Sequence, residues 1–153
     1  MDDRQRALNY LGLARRAGRI ALGEEPCGAV CRSGHARLLL VAADAGDHTF
    51  RRARSFARSG KPPVLPVSFT KEELGGAVGQ RACALAALTD APLALAFVQC
   101  LPEAERPAEL LETLRAQTAR IEKRRKEERP TRLTSATVGK SPARPGNRES
   151  KPV

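Results

Sequence analysis

The sequence predicts an α/β fold: a three-layer α/β/α sandwich with a small mixed sheet, followed by a charged helix and a disordered basic tail. Three observations predict it. Helical and extended patterns alternate from the start of the chain to Leu101. The run Leu38-Leu39-Leu40-Val41 suits a strand covered on both faces. Composition then changes abruptly near Pro102, where alternating apolar segments give way to dense charge. With 41% hydrophobic residues in 153, the chain can bury one core.

The elements follow in order. Arg4–Ala17 places Ala7, Leu8, Leu11 and Ala14 on one helical face, with Gly18 as its stop. Ile20–Leu22 is a short extended piece. Glu24–Ser33 is a second helix closed by Gly34, and Pro26 is tolerated because it falls in the first turn. Arg37–Ala43 is the buried strand. Thr49–Ser59 is a helix ended by Gly60, and Val64–Phe69 is the next strand. Thr70-Lys71-Glu72-Glu73 is a capping box opening a helix to Val78. Ala82–Leu88 is a strand, after which Asp90 caps the apolar helix Pro92–Leu101. Two successive strand–helix–strand units, 37–69 and 64–88, predict parallel strands joined by right-handed crossovers.

Three regions result: 1–101, the α/β/α domain; 102–129, a charged helix projecting at its end; and 130–153, a basic tail. The helix carries a thin apolar stripe at Ala108, Leu111, Leu114, Thr118 and Ile121. The tail holds four prolines and only three Val or Leu, too little apolar surface to offset its ordering entropy, so disorder is expected.

Charge narrows the function. The net charge is +10 and the pI about 10.3, with +5 on each side of residue 101, which favours a polyanionic partner. No stretch reaches the roughly 18 apolar residues of a spanning helix, and the charged start Met1-Asp2-Asp3-Arg4 is unlike a signal peptide. A cytoplasmic protein without a membrane role is expected, with Cys27, Cys31, Cys83 and Cys100 reduced. Catalysis is not expected. His35 and His48 are the only histidines, no phosphate-binding glycine loop is present, and Cys27 and Cys31 lack further ligands for zinc. No cofactor or metal is implied. Arg51, Arg54 and Arg58 fall within about 60° of one another on their helix, and Arg15, Arg16 and Arg19 cluster where the first helix ends. Aromatic residues are 3%, with no Trp, so a stacking platform for single strands is absent and a structured RNA is the better match.

The segments Leu11-Gly12-Leu13-Ala14-Arg15-Arg16-Ala17-Gly18-Arg19, Gly23-Glu24-Glu25 and Arg32-Ser33-Gly34 follow one another in a fixed order. Ala36–Asp44, Phe69–Gly75 and Thr89-Asp90 complete the series. Together they resemble the YlxQ branch of the kink-turn-binding ribosomal protein family, in the Pelota-like superfamily, over about residues 5–101. The resemblance implies an α/β/α fold and RNA binding without catalysis. It places the RNA surface at Gly23, Glu24 and Glu25, at the start of the second helix, and at Gln80, Arg81 and Ala82 in the loop before the last strand. Arg32 joins them as a candidate RNA contact. Glu25 stands where the family has Asn, Ala29 where it has Lys, and Arg81 where it has an acid.

The expected function is therefore a non-enzymatic RNA-binding protein of the translation machinery. Its partner would be structured, kink-turn-like RNA, with ribosomal RNA and the ribosome as the wider setting. The alternative is a protein-interaction module that docks a partner through the 103–129 helix and has lost RNA readout. Oligomeric state is left open by the sequence.

Overall fold

The computed structural model describes residues 2–60 and 62–139, with side chains described as far as Glu127. The residues divide into a larger unit, Met1–Thr118, and a second beginning at Ala119. In chain order the elements are α1 (Asp3–Arg16), β1 (Ile20–Leu22), α2 (Glu24–Arg32), β2 (Leu38–Val41) and α3 (Asp47–Gly60). They continue with β3 (Val64–Pro66), α4 (Lys71–Ala77), β4 (Leu85–Leu88), α5 (Ala91–Gln99), a 3-10 turn (Glu103–Glu105) and α6 (Ala108–Gly139). The three-layer α/β/α sandwich expected from the sequence is the fold observed.

The sheet has the order β1-β4-β2-β3. Its two faces are read directly from the alternation in β2. Leu38 and Leu40 point into a core shared with Leu11 of α1, Leu74 of α4 and Phe97 of α5. Leu39 and Val41 point the other way, onto Cys27 and Cys31 of α2 and Ala53 and Phe56 of α3. Every residue of β2 and β4 is buried. Each such leucine contributes about 1.5–3 kcal/mol by leaving water.

One topological expectation is corrected. β2 and β3 are parallel, as the first strand–helix–strand unit predicts. β4, however, lies between β1 and β2 and runs antiparallel to both. The reason lies in the connection. Cys83 N–H donates to the Lys71 carbonyl at 2.8 Å, so α4 and the following loop leave and re-enter the domain at one point. A parallel strand needs a crossover that carries the chain back to the far end of the sheet. Seven-residue α4 closes on itself instead, and the chain enters β4 from the end at which it left β3.

The charged helix also differs from expectation. It starts at Ala108, after the 3-10 turn, because Pro107 disfavours helical geometry at Arg106, whose φ and ψ are −108° and 97°. Of the expected stripe Leu114 is buried and Leu111, Thr118 and Ile121 are half-buried, while Ala108 is exposed and Leu110 is buried in its place. In the second unit, the charged side chains from Arg120 to Glu127 are all exposed. The helical backbone continues past Arg129 to Gly139. The rest of the tail for which disorder is expected, 140–153, lies outside the described residues.

Candidate nucleic-acid interface

The sheet has two chemically different ends. At one, β1, β2 and β3 finish and α2, α3 and α4 begin, while β4 starts. Here lie the residues assigned from sequence to RNA. Gly23 is the N-cap of α2 with φ 88°, a conformation that side chains disfavour, and it turns the chain from β1 into the helix. No side chain caps α2, and the first intrahelical bond runs from Cys27 N–H to the Gly23 carbonyl at 3.1 Å. The Glu24 and Glu25 N–H groups therefore have no intrahelical acceptor and head the helix, a geometry suited to an anion or a base-edge acceptor.

Gly23 N–H donates to the Leu85 carbonyl at 3.0 Å, which ties this turn to the first residue of β4. Gln80, Arg81 and Ala82, all exposed, form the loop that leads there. The loop folds back on α4, where Gln80 N–H donates to the Gly75 carbonyl at 2.8 Å. A Cβ at Gly75 would lie 2.7 Å from the Ala82 Cα, so only glycine admits this approach. The structure thus brings the two assigned segments to neighbouring strand ends. Arg32 is not among them: it closes α2, about 12 Å along the helix from Glu24.

How Glu24 is engaged was not legible along the chain. Arg52 Nε donates to Glu24 Oε1 at 3.1 Å, and the Arg52 guanidinium lies 5.1 Å over the Phe56 ring. His48 Nε2 approaches the same carboxylate oxygen at 3.6 Å. Arg52 stands outside the exposed stripe of Arg51, Arg54 and Arg58, and helical spacing from Phe56 is the one signal that could have singled it out. Glu25 is exposed and makes no ion pair among the described residues.

The cysteines serve the core. All four are free and buried. Burial pushes the Cys27, Cys31, Cys83 and Cys100 thiols up from their ordinary range, and the Cys27 Sγ is 3.4 Å from the Ala21 carbonyl. Among the described residues no group of three or more His, Cys, Asp or Glu is arranged to hold a metal ion, and no helix is long and apolar enough to cross a membrane.

No known protein-family model matches the chain. A solved structure from Bacillus halodurans, of a protein with unknown function, is 29% identical with a TM-score of 0.56, covering 61% of this chain and 94% of that one. The Giardia lamblia 15.5kD RNA binding protein has a TM-score of 0.51 over 71% of this chain and 84% of its own; at 19% identity the likeness is one of fold. The protein named RNA-binding protein YlxQ from Enterococcus faecium is 32% identical over 78 residues, 51% of this chain and 75% of that relative. Identity at that level across three quarters of the relative, on the fold described above, means that the chain belongs to the YlxQ family.

Proposed function

We propose that this chain is a non-enzymatic, cytoplasmic RNA-binding protein associated with translation, which recognises structured RNA through the Gly23–Glu25 turn and the Gln80–Ala82 loop. The observation that carries the reading is the Gly23 N–H···O=C Leu85 bond, which sets the two segments at adjacent strand ends. Membership of the YlxQ family, whose Enterococcus faecium relative is named an RNA-binding protein, supports it. The uncapped Glu24 and Glu25 N–H groups donate to an oxygen of the RNA, and Arg81 forks onto phosphate or a guanine edge. Lys and Arg residues beyond Arg120 add affinity that is independent of sequence.

The test is a titration of the full chain with a labelled kink-turn RNA and a straight duplex of equal length, over a range of salt. Preferential binding to the kink-turn, with affinity falling steeply as salt rises, supports the reading. Equal binding to both RNAs removes kink-turn recognition. Absence of binding to either removes RNA as the partner and leaves the interaction module as the alternative.

A further inference from the structure

Among the described residues, the other end of the sheet carries a cluster of cations that make no ion pair. α1, α2 and α3 finish there, β4 ends, and α5 begins. The turn after α1 is made by Gly18, whose φ of 70° reverses the chain into Arg19. Arg19 is then pinned on both sides: its N–H donates to the Ala14 carbonyl at 2.8 Å, and its carbonyl accepts from Thr89 N–H at 3.0 Å. Arg37 is held in the same way, its N–H donating to the Leu88 carbonyl at 2.7 Å. Arg19, Ile20, Val30, His35 and Thr89 line a groove of about 270 Å³, and Arg37 is bonded to Leu88, the residue before its Thr89. The His35 ring is oriented by a 2.8 Å hydrogen bond between its Nδ1 and the Ser33 hydroxyl.

Among the described residues, Arg15, Arg19, Arg32 and Arg37 make no ion pair. Arg15 and Arg32 lie in the last turns of α1 and α2, where a cation complements the helix dipole. That account does not reach Arg19 and Arg37, which lie outside every helix, Arg19 in the groove and Arg37 beside the strand end that carries Thr89. Of the acids at this end, Asp90 is occupied in capping α5, accepting from Leu93 N–H at 3.0 Å, and Glu109 lies beside Pro63 and Val64 at the start of β3. The opposite end, by contrast, carries Glu24, Glu25, Asp44, Asp47, Glu72 and Glu73.

We infer that the groove at Arg19, together with Arg37 beside it at the end of β4, is a second RNA contact, one that grips the phosphodiester backbone without reading sequence. The inference rests on the RNA-binding reading above and adds a surface that the family resemblance does not assign. Guanidinium groups match phosphate oxygens by forked donation. Here their backbones are fixed before RNA arrives, so less freedom is lost on binding. The acidic end then supplies discrimination, and this end supplies charge.

The experiment uses the full chain and the same two labelled RNAs. Arg19→Gln/Arg37→Gln is compared with Arg51→Gln/Arg54→Gln, an equal charge change on the exposed face of α3, and with Arg19→Lys/Arg37→Lys. The groove pair should weaken both RNAs alike by at least about tenfold at low salt, and reduce the log–log salt slope by about 0.7–0.9 per lost contact. The lysine pair should retain most of the affinity, and thermal melts should show all three variants folded. If wild type binds RNA and the groove pair matches the α3 pair in affinity and slope, the inference is wrong while RNA binding stands. If wild type binds neither RNA, both fall together.

Discussion

Arg52 holds Glu24 at the mouth of the acidic end: its Nε donates to Glu24 Oε1 at 3.1 Å, joining α3 to the first residue of α2. The pair is part-exposed, with side chains 43% and 36% accessible, so it contributes little to stability. Its consequence is electrostatic. Arg52 offsets one of two adjacent carboxylates beside the uncapped amides, and without it both would repel an approaching phosphate.

Arg52→Gln is therefore expected to lower stability by only about 0.5–1 kcal/mol. RNA affinity should fall severalfold at low salt and recover relative to wild type as salt rises. Calorimetry and anisotropy titrations on one preparation separate the two. A large loss of stability with unchanged RNA affinity would show the pair to be a fold element instead.

Arg81 is exposed in the loop leading to β4, and Arg54 is exposed on α3. Arg81→Ala should weaken binding to structured RNA more than Arg54→Ala does, by about 1–3 kcal/mol if a guanine edge is read. Glu25→Asn should raise the preference for kink-turn over plain duplex, and adding Ala29→Lys should raise affinity further. Parallel titrations check this. Equality of Arg81→Ala with wild type on both RNAs would remove the loop from the interface.

Two glycines should respond in opposite directions. A Cβ at Gly60 would collide with the Cys31 backbone carbonyl, which cannot move without displacing α2. Gly60→Ala should destabilise the domain by about 2–3 kcal/mol. Gly76 is exposed in α4 with nothing within 4 Å of an added Cβ, so Gly76→Ala should stabilise by about 0.5–1 kcal/mol. Denaturant melts measure both, and similar effects at the two sites would contradict the close packing of α2 on α3.

Acid sensitivity should trace to Glu73. The Thr70 backbone N–H, at 2.9 Å, and Arg4 Nη2, at 2.7 and 2.9 Å from its two oxygens, hold its carboxyl below the usual range. A pKa lowered in the folded state contributes stability above the ordinary glutamate range, and that contribution is lost as pH falls through the folded value. Glu73→Gln should flatten the acid limb of a stability–pH profile while leaving the limb above neutrality unchanged. An acid limb of unaltered steepness would place the sensitivity elsewhere.

Much of this fold was legible along the chain because its signals are local. The capping box at Thr70 and Glu73 is formed, Asp90 caps α5, and β1 spans Ile20–Leu22 as expected. Each depends on neighbours a few residues away. The apolar run Leu38–Val41 likewise announced a strand covered on both faces, since both faces must be apolar for burial. Family motifs carried the Gly23–Glu25 and Gln80–Ala82 segments, and helical spacing carried the exposed arginine stripe on α3.

Tertiary structure alone decided the rest. The direction of β4 depends on Cys83 returning to the Lys71 carbonyl, a closure between residues whose intervening sequence reads equally well as a crossover. Arg52 meets Glu24 across 28 positions, and Arg19 and Arg37 come together only because Thr89 and Leu88, at the end of β4, bond to one each. Such contacts are set by strand order. Local propensity and period contain no term for which strand lies next to which, so the sequence specified the elements, while their packing determined where the charges meet.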